Sequence, residues 1–223
     1  MKLVFLINLL PLVAARALQG IEKKAVSAES SNGLTEPYTI TAYDPFNCHL
    51  NGGKINNFNL FQAKVGSYCP FTGNQSSTCP NGTDMVLAGS MYPISEVPGG
   101  QDVYVDVDGT IAITVQHSHS FPPGSWPEYY GWTWTALPIN QAPPIACCPS
   151  GDPRYNCDTP SGFWSFRAPN ATKGGVAACQ NKYSPETTSV FAITPDFNQT
   201  KCVPMIGFGT HAYSGPNPPV WAY

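Results

Sequence analysis

The sequence predicts an all-β fold, a single compact β-barrel or sandwich with long disulfide-stapled loops. Three observations carry that expectation. Only 11% of the 223 residues are charged, whereas Gly and Pro number 20 and 23, so helix formers are scarce and turn residues abundant. Between Gln101 and Gln116, β-branched residues alternate on both sides of Asp108-Gly109: Val103, Val105 and Val107 before it, Ile111, Ile113 and Val115 after it. Eight cysteines follow a secretory leader, and an even count in an oxidising compartment reads as up to four disulfides.

Taken in order, the chain opens with that leader at residues 1–17. Lys2 supplies the positive end, Leu3 to Val13 the apolar run, and Val13-Ala-Ala-Arg-Ala17 the small residues before a cut after Ala15 or Ala17. The run is too short to span a bilayer, and no later stretch is apolar enough. Residues 18–35 read as a flexible, polar lead-in, with Lys23-Lys24 as a dibasic processing candidate. A β domain is expected over 36–206.

Its first strand is Pro37 to Tyr43, with Tyr38, Ile40 and Ala42 alternating against Thr39, Thr41 and Tyr43. Asn51-Gly-Gly53 turns the chain, and Lys54 to Lys64 supplies one or two strands through Ile55, Phe58, Leu60 and Phe61. Cys69 and Cys79 bracket a short loop without strand character and are the best local disulfide, stabilising by roughly 2–4 kcal/mol. The partners of Cys48, Cys147, Cys148, Cys157, Cys179 and Cys202 are not deducible, except that adjacent Cys147 and Cys148 should take different ones.

Thr83 to Met91 gives another strand, and Pro98-Gly-Gly100 leads into the central hairpin. A two-residue Asp-Gly turn there would scatter the apolar residues over both faces. A three-residue loop, Val107-Asp-Gly109 with Gly109 left-handed, pairs Val105 with Ile111 and Val103 with Ile113 on one face. Later strands are expected at Gly131–Thr135, Phe163–Arg167 and Ser189–Thr194. The Pro/Gly-rich stretch 207–223 reads as an irregular C-terminal extension.

Four acceptor sequons, at Asn74, Asn81, Asn170 and Asn198, lie in turn-rich stretches and fit a secreted glycoprotein. The formal charge is −3, or −5 once Lys2 and Arg16 leave with the leader. With no basic cluster, nucleic acid and anionic membrane are excluded as partners, and a monomer is expected.

Residues that could carry chemistry are few. His117 and His119 would share a face if they lay on a strand and could then ligate one metal, with His49, His211 or a carboxylate as a third ligand. Two unconnected surface histidines are the favoured alternative, and no cofactor is expected. Asp106-Val-Asp108-Gly109 fails as a calcium loop, since Tyr104 and Val115 would stand where ligands are required. There is no Gly-x-Ser-x-Gly elbow, and nothing in the spacing of Glu96, Glu128 and Asp152 pairs them for glycoside hydrolysis, so no catalytic residue is assigned. In the aromatic run 126–134, Trp132 and Trp134 alternate as core residues do. Trp126, Tyr129 and Tyr130 lie in a Pro-flanked loop and are the surface candidates for stacking on sugar rings.

Ser67-Tyr-Cys-Pro70, Cys79-Pro-Asn-Gly-Thr-Asp84, Val97-Pro-Gly-Gly-Gln-Asp-Val-Tyr104 and Gln116-His-Ser118 followed by Pro122-Pro-Gly124 resemble the fungal secreted proteins known as IgE-binding proteins. Gly131-Trp132, Ala146-Cys147 with Pro149, and Phe163-Trp-Ser-Phe166 are similar to later motifs of that group, and the likeness spans roughly residues 36 to 205. The chain is more distantly similar to fungal cell-wall and hypersensitive-response-inducing proteins. The resemblance implies a secreted, β-barrel-like fungal domain at the cell surface or in the medium, with no established catalytic set. His119, the second cysteine of the 147/148 pair, the 148–179 insertion and the Pro-rich tail depart from the pattern. "IgE-binding", an allergen-like property, describes antibody recognition and is no biochemical role.

The expected function is therefore a secreted, non-enzymatic cell-wall or extracellular protein, with weak wall-polysaccharide binding through the 126–130 loop as the activity open to it. The alternatives are an apoplastic effector or elicitor met by a plant-host receptor, and an extracellular hydrolase or metal-dependent oxidase.

Overall fold

The computed structural model describes residues 34–71, 77–138 and 148–223. The expected leader, nearly all of the expected lead-in, Asn74 and Cys147 lie outside them. The described chain is all β, with no α-helix, and its largest sheet curls into a half-barrel.

That sheet is built around β1 (Leu34–Tyr43), the predicted first strand, whose Tyr38, Ile40 and Ala42 are buried as the alternation requires. On one side β1 pairs with β4 (Leu87–Gly89), which pairs in turn with β5 (Tyr92–Pro93). On the other it pairs with β14 (Gly207–Ala212), followed by β10 (Gly162–Phe166) and β9 (Trp132–Ala136). Trp132 and Trp134 pack on the core, with the Trp132 ring against Phe166 and Phe208.

β14 corrects the expected irregular extension. Gly207–Ala212 is a central strand, legible only from its neighbours: a Cβ on Gly207 would meet the Trp164 carbonyl and the Phe163 ring, and one on Gly209 would press on Pro160. The glycines that make this stretch look unlike a strand are what let it lie between packed layers. Residues 213–223 have little regular structure, as expected, yet they are stitched down. Gly82, Val97 and Tyr68 donate backbone hydrogen bonds to Pro219, Trp221 and Ala222, and Val220 and Ala222 are fully buried. The buried Gln101 side chain clamps Tyr223, accepting from its N–H at 2.8 Å and donating to its carbonyl at 3.1 Å.

A second sheet runs β13 (Cys202–Met205), β11 (Val176–Gln180), β12 (Thr188–Ala192), β3 (Asn59–Leu60), β2 (Ile55–Asn56). Its inner face joins the main core, while Ala177, Cys179 and Phe191 form a second cluster on the other side. Being buried on both faces, β11 shows no alternation.

The third sheet is the predicted hairpin, β6 (Val103–Val105) and β7 (Ile111–Ile113), with β8 (Trp126–Pro127) on its other edge. The register is the one argued from the sequence: Val105 faces Ile111, Val103 faces Ile113, and Gly109 has φ +92°. A Cβ on Gly109 would strike the Ala192 carbonyl, so the turn needs glycine for space as well as for conformation. Asp106 and Asp108 accept N–H bonds from Val107 and Thr110, which makes them turn residues. The alternation ends earlier than expected. Thr114 is buried, bonded to the Asp102 N–H, whereas Val115 begins a turn and is 75% exposed.

Three disulfides lie wholly within the described residues. Cys69–Cys79 is the pair expected from the sequence; Cys148–Cys157 and Cys179–Cys202 are pairings the spacing left open. Cys148 thus does not bridge to its neighbour Cys147. Cys48 is disulfide-bonded too, and no cysteine of the described residues is free.

Candidate functional site

The antiparallel register of β8 on β6, Trp126 with Val105 and Pro127 with Tyr104, carries Glu128 to the start of β6, next to Asp102. His119 reaches the same place from the loop after β7, its Nδ1 lying 2.5 Å from Asp102 Oδ2. Asp102 is nearly buried and holds the imidazole from below, while the ring itself is 60% exposed. The hydrogen bond and the negative charge of Asp102 raise the His119 pKa above its usual value, with a smaller contribution from Glu128. Burial raises the Glu128 carboxyl in the opposite charge sense, favouring the neutral acid, and Asp102 adds to this.

Directly after Glu128, Tyr129 and Tyr130 stand on the surface, 62% and 52% exposed, with ring centroids 4.8 Å apart and planes tilted by 53°. Tyr130 N–H closes a turn on the Pro127 carbonyl, which fixes the base of the pair. The two tyrosines expected on the surface are there. Trp126 is not beside them: it lies in β8, half-buried, its ring T-shaped to that of Phe166 with centroids 6.0 Å apart. The prolines around it suggest a loop, but Pro127 sits at a sheet edge where no N–H is needed.

The two-histidine metal candidate is not assembled. Residues 115–120 form a turn, so spacing by two no longer means a shared face. His117 has φ +61° and its Nδ1 lies 2.6 Å from the Pro98 carbonyl, whereas His119 is engaged by Asp102. Of the possible third ligands, His211 is buried with Nε2 at 2.9 Å from Thr41 Oγ1. Among the described residues no group of three or more His, Cys, Asp or Glu is placed to hold a metal ion. Asn81, Asn170 and Asn198 are all exposed, as acceptor sites require.

A groove that the sequence did not flag runs beside the β2–β3 hairpin. Its volume is about 680 Å³, and Asn59, Gln62, Arg154, Asn181, Tyr183 and Glu186 line it. It continues into a smaller pocket of about 220 Å³ that shares Asn59, Asn181 and Tyr183. Its residues come from loops far apart in sequence with no motif among them, which is why no local pattern could announce it.

Comparison with known proteins gives one informative likeness. The chain is 28% identical over 161 residues, 70% of its length and 69% of the relative's, to a protein of Arthroderma benhamiae described as an uncharacterized secreted protein. No family model and no solved structure matches. The relative supports a fungal secreted protein; the narrower likeness to the IgE-binding group rests on the motifs quoted above.

Proposed function

We propose that this is a non-enzymatic extracellular protein of the fungal cell wall that holds wall polysaccharide on the Tyr129–Tyr130 surface. The observation that carries the reading is an exposed pair of aromatic rings on a braced turn, flanked by Glu128 and His119. Large aromatic side chains left in water cost solvation, and an adjacent pair of them fits the apolar face of a sugar ring. The phenolic hydroxyls and the outward side of His119 supply donors and acceptors at the rim. Trp126, turned inward on Phe166, anchors the strand from which the platform rises.

Affinity electrophoresis through gels containing soluble β-glucan or hydroxyethyl cellulose, neither of which carries an acetamido group, tests this. Migration should be retarded by one polymer, and Tyr129→Ala with Tyr130→Ala should restore free migration. Equal migration of the parent and the double variant in every gel would sink the proposal.

A further inference from the structure

We infer that the groove between the β2–β3 hairpin and the 181–188 loop is a second binding site, for a short run of N-acetylated sugar residues. The inference rests on the extracellular saccharide-binding reading but not on the Tyr129–Tyr130 platform. At about 680 Å³ the groove falls within the roughly 300–1,000 Å³ usual for small-ligand sites.

Its floor is built and fixed. Asn181 Nδ2 donates to Ser189 Oγ at 2.9 Å, Ser189 Oγ donates to Asn59 Oδ1 at 2.8 Å, and Asn181 Oδ1 accepts the N–H groups of Tyr183 and Ser184. The walls, in contrast, keep unused polar groups. The Gln62 amide, the Glu186 carboxylate and the Tyr183 hydroxyl make no hydrogen bond within the described residues, and Tyr183 is 85% exposed. The hairpin that carries this wall is a tight one: Asn57 and Phe58, its two central residues, have φ of +48° and +55°, as a two-residue hairpin turn requires.

The two compartments differ in character, and that difference names the ligand. The groove offers amides, hydroxyls and a carboxylate, suited to sugar hydroxyls. The adjoining pocket is floored by Phe58, Ile111 and Val190, and accommodates a small apolar substituent. An acetamido methyl is such a substituent; a plain glucan carries none. Charge argues against an acidic sugar, because Asp152 already engages the Arg154 guanidinium, the Lys182 ammonium lies over the Tyr183 ring, and Glu186 adds a negative charge to the groove lining.

The test is a nitrogen-15 NMR titration of the secreted protein, its N-glycans removed back to the side chain because Asn198 adjoins the pocket residue Gln199. Chitotriose should shift the amides of residues 57–62, 110–111 and 181–190, and bind at least tenfold more tightly than cellotriose. Tyr183→Ala and Gln62→Ala should each weaken it about tenfold with the spectrum otherwise preserved, whereas Tyr129→Ala with Tyr130→Ala should leave it unchanged. No shifts at millimolar chitotriose, an equal response to cellotriose, or shifts confined to 126–131 would each overturn the groove. The last would leave the tyrosine platform standing.

Discussion

His211 shows how one buried side chain couples the fold to pH. It lies on the central strand β14, 6% exposed, and burial pushes its pKa down to about 4. The folded protein therefore keeps the imidazole neutral, while in the unfolded chain it takes up a proton near 6.5. Between those values the unfolded state binds more protons, so stability is fully present above about pH 6.5 and is lost as the pH falls toward 4, by up to roughly 3 kcal/mol. Urea titrations at pH 7 and pH 4.5 should show the loss, and His211→Gln should flatten it; an equal slope in that variant would refute the assignment. Gly109 is as sharply determined. Gly109→Ala introduces a side chain at φ +92° against the Ala192 carbonyl and should lower stability by roughly 1–3 kcal/mol, seen as a lower urea midpoint with an unchanged slope.

Among the elements, those with a period were legible and those without one were not. The β6–β7 hairpin could be placed to the residue because only one loop length puts Val103, Val105, Ile111 and Ile113 on one face. β11 could not: Val176-Ala-Ala-Cys-Gln180 is buried on both sides and small throughout, so nothing alternates. β13 carries Pro204, which argues against a strand, and it is accommodated because β13 is an edge. β14 hides behind two glycines that packing requires. The same lack of local pattern hid the groove, whose residues meet only through tertiary structure, whereas Tyr129 and Tyr130 could be read from a short run. Trp126 was misplaced because flanking prolines signal loop and edge strand alike. The Cys179–Cys202 bridge ties β11 to β13 across a register pair. Replacing both cysteines with Ala should cost about 3 kcal/mol for a loop of this length, measured by chemical denaturation, and leave the half-barrel sheet folded. Global unfolding on reduction of this bridge alone would show that the two sheets are not separable in this way.

For the molecule as a whole, the C-terminal strap joins what the sheets leave apart. Residues 219–222 bond to the loops at 68, 82 and 96–97, and Tyr223 is held by Gln101 and by Val86 through its hydroxyl. Deleting residues 217–223 exposes the seats of Val220, Ala222 and Tyr223 and should cost at least about 3 kcal/mol of stability by the area argument. An unchanged melting temperature would contradict the strap's role. Tyr129, Tyr130 and Tyr183 are among the large side chains the fold leaves exposed. The most direct test of the central claim is retention of the secreted, deglycosylated protein on insoluble chitin, β-glucan and cellulose. Retention on β-glucan or cellulose, abolished by Tyr129→Ala with Tyr130→Ala at unchanged melting temperature, is the predicted result, while chitin retention through the Tyr183 groove survives that double variant. Absence of retention on both β-glucan and cellulose, or retention there that is indifferent to both tyrosines, would contradict it.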